Sequence, residues 1–161
     1  MEIIDIYGKK STTDCLGCSI AEGEFTPPGG FILKTDHFCV NQDCEIPIPG
    51  FFIISSIRHI QSFDEFYEPE QTDFMQILVK MRQGMREALN IPQIDIIMVE
   101  NGEHHFHVWL FPITDEMTEK FGFGVKALKP MMSYAIENMK TAENIKKVEK
   151  YIGLIKTHLS K

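Results

Sequence analysis

The chain has 161 residues, 43% of them hydrophobic and 24% charged, proportions that fit one folded domain with a single core. Its net charge of −7 argues against binding to nucleic acid or to an anionic membrane, because both require a basic surface. No secretory signal and no apolar run long enough to span a bilayer is evident. The sequence therefore predicts a cytoplasmic protein. In that compartment the four cysteines are metal ligands, catalytic groups or core residues rather than disulfides.

The first half of the chain predicts a loop followed by three short strands. Met1–Glu24 is polar and is expected to be loop-like. "FILKTDHFCVNQD" contains two apolar runs around Asp36 and predicts a β-hairpin. After a Pro-Gly turn, the β-branched and aromatic residues near Phe51–Ser56 predict a further strand.

The clearest helix is predicted over "YEPEQTDFMQILVKMRQGMREALN". Its apolar residues recur at helical spacing, and Pro69 suits the first turn. This apolar stripe is expected to pack on the sheet. "IDIIMVE" and "HFHVWLFP" then predict two strands joined by a tight connection at Asn101-Gly102.

After Pro112 the composition becomes helical. Thr114 is expected to cap a short helix, "PMMSYAIENMK" to form a second, and Thr141 to cap a third. The third helix has a narrow apolar stripe that packs either on the domain or on a second subunit. We therefore expect a single domain over 1–161, with a core at about 13–113 and a helical extension at about 114–161.

The segment "HHFHVWLFP" places histidines within a predicted strand. Alternate residues of a strand share a face, so His105, His107 and Trp109 lie on one side, opposite the apolar residues Phe106 and Val108. The Cα atoms of the two same-face histidines are about 6–7 Å apart. They either bind one metal ion together or do different jobs side by side.

Two cysteines, Cys15 and Cys18, form a C-x-x-C pair, which can direct two thiolates at one tetrahedral zinc. His59 and His105 are predicted at strand edges, where this pair can reach them. The alternative is that the cysteines are reduced, partly buried thiols and that His59 is a surface residue. Spacing alone does not decide between the two. Cys39 lies in an apolar run and is expected in the core.

Three segments together resemble the zinc-bearing branch of the histidine-triad (HIT) superfamily. They are "CLGCSIAEGE", "PIPGFFIISSIRHI" and "HFHVWLFP", and they occur in the order typical of these proteins, with a helix between the second and the third. The resemblance covers about Cys15 to Pro112. It implies an α+β fold with a mostly antiparallel sheet of about five strands, one long central helix and C-terminal helices, commonly as a homodimer.

The resemblance also implies functional residues. One structural zinc per chain would be held by Cys15, Cys18, His59 and His105. His107 would be the nucleophile that attacks the α-phosphorus of a nucleotide substrate. A neutral imidazole suits that role, because its unperturbed pKa is about 6.5.

The remaining predicted site residues concern substrate binding. Asp43 stands at the position that accepts hydrogen bonds from ribose hydroxyls in similar proteins, although it also suits a turn-stabilising role. Asn101 is expected to help hold phosphate or the nucleophile loop. Trp109 replaces the third polar residue of the triad, and an indole donates one hydrogen bond but cannot act as a general acid.

Taken with these residues, the resemblance implies a hydrolase that cleaves a dinucleoside polyphosphate or a nucleoside phosphate ester at the α-phosphate, through a nucleotidyl-histidine intermediate. One alternative is a nucleotide-binding or interaction module with little turnover, which Trp109 favours. The other is a nucleotidyltransferase, which shares the nucleophile but needs a second substrate site.

Overall fold

An antiparallel five-stranded sheet in the order β3–β4–β5–β7–β6 organises the molecule, and a separate two-stranded sheet, β1–β2, lies near the N-terminus. The computed structural model describes residues 1–101 and 105–161. The α+β class and the five-stranded sheet are as predicted. The strands are β1 (Glu2–Ile4), β2 (Lys10–Thr12), β3 (Leu33–Lys34), β4 (Phe38–Gln42), β5 (Phe52–Ser56), β6 (Gln93–Met98) and β7 (His107–Ile113), and the helices are α1 (Leu16–Glu22), α2 (Glu68–Glu87), α3 (Asp115–Phe121), α4 (Val125–Asn138) and α5 (Ala142–Leu159).

The prediction of a loop over Met1–Glu24 is wrong. β1 and β2 pair as an antiparallel hairpin, with Ile3 fully buried. α1 begins where the sulfur of Cys15 accepts a hydrogen bond from the backbone N–H of Cys18, and it ends at Gly23 in the left-handed conformation, with φ of 82°. These elements are only three to seven residues long, and elements of that length are stabilised mainly by tertiary contacts. Their mostly polar sequence therefore gave no pattern from which they could be predicted.

One face of the sheet packs on α2 and α5. The β7 residues Val108 and Leu110 point to this side, together with Phe106, and all three are buried in one cluster with residues of both helices. The strand alternation predicted for the histidine segment is therefore confirmed. The stripe on α5 packs on the domain itself, because Val148 and Ile152 belong to the same cluster.

The opposite face of the sheet is shared by α4 and α1. α4 covers Phe111 and part of Ile53 in a second apolar cluster. α1 covers the β4 end, where Ile20 packs on Cys39 and Cys44 in a third cluster. Cys39 is thus a core residue, as predicted. The part of this sheet face between the two helices is left open and forms the floor of a cavity.

The C-terminal helices begin as predicted in two cases out of three. Thr114 and Thr141 cap α3 and α5, each accepting a hydrogen bond from a backbone N–H of the first turn. The middle helix, α4, begins at Val125 rather than at Pro130, which lies inside it. The buried residues Ala127 and Leu128 extend the helix toward its N-terminus, and their packing outweighs the one backbone hydrogen bond that a proline removes.

The predicted tight connection at Asn101-Gly102 falls partly outside the described residues. Within the described residues, no helix combines the length and the apolar character that a transmembrane segment needs.

Candidate functional site

The four predicted metal ligands meet at one point. Their ligand atoms all lie within 4.8 Å of one another. The Nδ1 atom of His59 is 3.6 Å from the sulfur of Cys15 and 3.1 Å from that of Cys18. The Nδ1 atom of His105 is 3.4 and 3.5 Å from the same two sulfurs, and the two nitrogens are 3.2 Å apart. Tetrahedral zinc with bonds of about 2.3 Å to sulfur and 2.0–2.1 Å to nitrogen requires separations of about 3.3–3.4 Å between the nitrogens, about 3.5–3.6 Å between nitrogen and sulfur and about 3.8 Å between the sulfurs. The nitrogen–nitrogen and nitrogen–sulfur distances of the cluster lie within about 0.5 Å of these values, so the cluster fits such an ion.

The ring of His105 is oriented by the strand next to it. Its Nε2 atom lies 2.7 Å from the backbone oxygen of Ser56 and 3.2 Å from the hydroxyl of that residue. An Nε2–H donated to the carbonyl oxygen fixes the tautomer in which Nδ1 carries the lone pair and faces the cysteines. This is the arrangement that a metal ligand needs.

Gly17, which lies between the two cysteines of the C-x-x-C pair, is a site residue that the sequence reasoning did not single out. A Cβ atom at this position would stand 2.5 Å from Cγ of the His105 ring. Only glycine allows α1 to approach the imidazole this closely. The close approach brings the two cysteines within reach of His105.

The loop that carries His59 is braced by its neighbour Arg58. The Nε and Nη2 atoms of Arg58 donate to the two carboxylate oxygens of Glu70 at 3.1 and 2.9 Å. The guanidinium also lies 4.5 Å from the ring centroid of Tyr67. Hydrogen bonding to Arg58 lowers the pKa of Glu70, so the pair is ionised at neutral pH. The exposed ligand His59 is thereby tied to the start of α2.

The predicted nucleophile, His107, lies on the floor of the cavity. Its Nδ1 atom is 2.8 Å from the backbone oxygen of His105. Donation of the Nδ1–H to that oxygen holds the tautomer in which Nε2 carries the lone pair. His107 is paired in register with Ser55 of β5, which also lines the cavity.

The cavity has a volume of about 520 Å³, a size typical of small-molecule sites. Its described lining includes the carboxylates of Asp14, Asp43 and Glu45 and no lysine or arginine side chain. The histidines, the hydroxyl of Ser55, the indole and the side-chain amide of Gln61 are therefore among the groups on these walls that can donate a hydrogen bond to a phosphate. The apolar part of the lining consists of Leu16, Ile20, Ile46 and Ile53.

Asp43 lines the cavity and also stabilises a turn, so both roles considered for it are compatible. One of its carboxylate oxygens accepts hydrogen bonds from the backbone N–H groups of Glu45 and Ile46 at 2.9 and 2.7 Å. Burial raises the pKa of Asp43 to about 6, even though those two hydrogen bonds oppose the shift. The second oxygen is the one available to a ligand.

The other two predicted substrate-binding residues differ in their placement. Trp109 lines the cavity, with its ring centroid 6.2 Å from that of His107 and 5.8 Å from that of Phe51. Asn101 is exposed and is not among the described residues of the lining, so its role stays a prediction.

Asn41, which the sequence reasoning passed over, lies on the cavity wall although it is only 1% exposed. Its signal was a pair of adjacent polar residues, Asn41 and Gln42, at the end of a strand that is otherwise apolar.

Comparison with known proteins identifies the fold. No protein-family model matches the chain, and no curated protein matches its sequence significantly. A Zn-bound histidine triad family protein from Mycobacterium smegmatis superposes with a TM-score of 0.63 at 14% identity, over 91% of this chain and 94% of that one. A hypothetical histidine triad nucleotide-binding protein from Sulfolobus tokodaii gives 0.57 at 17% identity, over 86% and 92% of the two chains. A HIT family hydrolase from Legionella pneumophila gives 0.50 at 18% identity, over 63% and 95%.

The chain therefore has the histidine-triad fold, as its three motifs predicted, and its Cys15, Cys18, His59 and His105 cluster fits a zinc site.

The raised pKa of Asp43 predicts a pH dependence of stability. The unfolded carboxyl has a pKa of about 3.9, below the folded value of about 6, so between these values the folded state binds more protons. This contribution to the free energy of unfolding is present at low pH and is lost as the pH rises through 6. Asp43→Asn keeps an oxygen acceptor for the turn and removes the titration. Urea denaturation should show the wild-type free energy of unfolding falling relative to that of Asp43→Asn between about pH 4 and pH 7. A constant or rising difference would contradict the burial of this carboxylate.

Proposed function

We propose that the protein is a nucleotide hydrolase that cleaves its substrate at the α-phosphate through a nucleotidyl-His107 intermediate. The observation that carries this proposal is the tautomer of His107. Its Nδ1–H is donated to the backbone oxygen of His105 at 2.8 Å, on the floor of a 520 Å³ cavity. The arrangement supports attack by Nε2, because the nitrogen with the lone pair belongs to a side chain that is already oriented.

The reaction then proceeds in two displacements. Nε2 of His107 forms a bond to the α-phosphorus, and the bond from phosphorus to the leaving oxygen breaks, with its electron pair going to the leaving group. A water molecule next attacks the phosphorus, the N–P bond breaks, and the proton of the water passes to solvent. The product is a nucleoside monophosphate, and His107 returns to its neutral form. The carbonyl of His105 stabilises the positive charge that develops on the ring during attack.

The other walls of the cavity hold the substrate. The carboxylate of Asp43 accepts hydrogen bonds from the ribose hydroxyls. Ser55, paired with His107 across the sheet, donates its hydroxyl to a phosphate oxygen. The ring of Trp109 contacts the leaving-group side but supplies no proton, since an indole N–H is not a general acid.

The four-residue cluster holds zinc in a structural role. Two cysteines and two histidines complete a tetrahedral set and leave no position for a catalytic water. The bound ion supplies cross-linking rather than chemistry at the phosphorus. His105 is both a ligand and the residue whose carbonyl orients His107, so the metal site and the nucleophile are joined through one residue.

A nucleotide-binding module with little turnover is the second candidate function. The observation that favours it is Trp109 at the third triad position, where the proton donor of an efficient hydrolase would stand. This protein would bind the same ligand in the same cavity, without forming a covalent intermediate.

The proposal includes a homodimer formed through β6. This strand is an edge of the sheet, and an edge strand presents unpaired N–H and C=O groups to a second chain. Its residues Ile96 and Met98 are exposed apolar side chains. A second copy of the chain would cover these apolar side chains while extending the sheet.

The dimer predicts the effect of a charge on β6. Ile96→Asp places a carboxylate on the proposed interface and should give a monomer in sedimentation velocity at micromolar concentration. Ile136→Asp, at an apolar residue of α4 with nearly the same exposure as Ile96 (47% against 49%), is the control and should stay dimeric. A wild-type protein that sediments as a monomer would refute this part of the proposal.

The metal site predicts one tightly held zinc per chain, measurable by elemental analysis of the purified protein. Burial and the neighbouring Cys15 raise the pKa of the Cys18 thiol to about 11 in the absence of metal, so zinc binding should release protons. Cys15→Ser should lose the zinc and lower the melting temperature markedly, because metal binding free energy is folding free energy. Cys39→Ala, a buried cysteine outside the cluster, should keep the zinc. A zinc content near zero in the wild type would refute the site.

Substitution of His107 separates the nucleophile from the metal site. His107→Asn and His107→Ala should abolish release of nucleoside monophosphate from a dinucleoside polyphosphate, by several orders of magnitude in kcat, while fold and zinc content stay unchanged. Loss of zinc in either variant would make His107 a ligand. Full activity would place the reaction elsewhere, and an inactive wild type that binds nucleotide would favour the second candidate function.

Trp109 predicts a leaving-group preference. An amine leaves poorly without a proton donor, whereas a phosphate of low basicity needs less help. The wild type should therefore have a higher kcat/KM for a dinucleoside polyphosphate than for a phosphoramidate of the same nucleoside. Trp109→His should raise amidate hydrolysis more than polyphosphate hydrolysis, and Trp109→Phe serves as the matched aromatic control. Equal wild-type activity on both substrates would mean that another group supplies the proton.

A further inference from the structure

Asn41 is a buried polar side chain that the proposed reaction does not use. It lies on β4, is 1% exposed and forms part of the cavity wall. Its Nδ2 atom donates to the backbone oxygen of Gln42 at 2.8 Å. Its Oδ1 atom is buried and has no hydrogen-bond partner among residues 1–101 and 105–161. A buried acceptor without a hydrogen bond destabilises the folded state, and a ligand that donates a hydrogen bond to this oxygen would remove that cost.

The amide cannot relieve this cost by rotation. If the oxygen and nitrogen exchanged places, Oδ1 would face the carbonyl of Gln42 and the existing hydrogen bond at 2.8 Å would be lost. Among the described residues, the nitrogen has one further hydrogen-bond contact, a long one to the sulfur of Cys44 at 4.0 Å. The amide nitrogen therefore donates to the protein itself, and the amide oxygen is the atom that can accept a hydrogen bond from a ligand.

The position of Asn41 matches the base rather than the phosphate of a nucleotide. Asn41 pairs in register with Ile53, which in turn pairs with Trp109, so these residues form one row across the cavity floor. His107 belongs to the neighbouring row with Ser55. The lining near Asn41 combines the apolar side chain of Ile53, its register partner, with the carboxylate of Asp43, two residues farther along the chain. A flat, weakly polar nucleobase suits these walls, and a charged phosphate does not.

We propose that Asn41 selects the base of the substrate, with its Oδ1 atom accepting a hydrogen bond from an exocyclic amine. This inference rests on the proposed nucleotide function and adds the base class to it. An amine projects beyond the ring and always donates, so it can reach a group set into the wall. A keto oxygen at the same place would meet Oδ1 with a second acceptor and leave both unsatisfied. Adenine and cytosine carry the required amine, and hypoxanthine and uracil are their keto counterparts.

The test is a comparison of equilibrium affinities for two matched pairs of nucleotides. Adenosine and inosine 5′-monophosphate form one pair, and cytidine and uridine 5′-monophosphate form the other. These are products of the proposed reaction, so titration calorimetry measures binding without turnover. The wild type should bind the amine member of at least one pair roughly tenfold or more tightly than the keto member.

Substitution of Asn41 then assigns the preference to one side chain. Asn41→Leu has a similar volume and removes the acceptor, so the ratio of affinities within that pair should fall to about one. Val125→Ala, an exposed residue outside the described cavity lining, should preserve the wild-type ratio. An unchanged ratio in a folded Asn41→Leu protein would overturn the assignment.

The wild-type measurements decide the matter even if Asn41→Leu fails to fold. Equal affinities within both pairs, or a preference for the keto members, would overturn the inference and leave the nucleotide function standing. If none of the four monophosphates binds at millimolar concentration, the proposed function itself fails, and the inference fails with it.

Discussion

The convergence of four ligand atoms, from Cys15, Cys18, His59 and His105, is the constraint on which the site depends. They come from three separate parts of the chain: the start of α1, the loop after β5 and the residue just before β7. Apolar clusters join these parts only in pairs, with Leu16 and Ile57 in one cluster and Ile60 and Phe106 in another, while Cys15, Cys18 and His59 themselves are partly or fully exposed. Four thiol and imidazole groups within 4.8 Å of one another are held together only weakly without a cation. We therefore propose that a bound metal ion cross-links these three parts of the chain.

The cluster of four ligands also helps to fix the position of His107. The imidazole of His105 is fixed on one side by the cluster and on the other by the backbone of Ser56, and its carbonyl accepts the Nδ1–H of His107. Two residues farther along the same strand, Trp109 packs against Phe51. A short segment thus links a proposed structural metal, a proposed nucleophile and the apolar core beneath them.

The parts of this arrangement that follow from local pattern could be predicted from the sequence. Strand alternation placed Phe106 and Val108 in the core and His107 on the open face, and helical periodicity found α2 and α5. The zinc ligands could not be predicted from spacing alone, because a C-x-x-C pair fits two reduced thiols as well as a zinc site. Only the combined resemblance of three segments selected His59 and His105 as the other ligands. The short hairpin β1–β2 and helix α1 were missed because three to seven residues carry too little periodicity to register.

Other features depend on distances that no pattern contains. The need for glycine at position 17 arises from an imidazole 88 residues away in the sequence. The raised pKa of Asp43 arises from burial under a turn that its own carboxylate stabilises. The unsatisfied oxygen of Asn41 is visible only when all its neighbours are placed. These three residues distinguish this site in detail, and each of them required the tertiary structure.

X-ray absorption spectroscopy at the zinc edge tests the central claim most directly, on protein purified without added metal. A closed structural zinc site predicts a four-coordinate first shell with two sulfur atoms at about 2.3 Å and two nitrogen atoms at about 2.0–2.1 Å. The same shell is expected in the His107→Asn protein. A shell with fewer than two sulfurs, or with an oxygen from water, would contradict a closed structural site. A shell that changes in His107→Asn would contradict the separation of ligand from nucleophile.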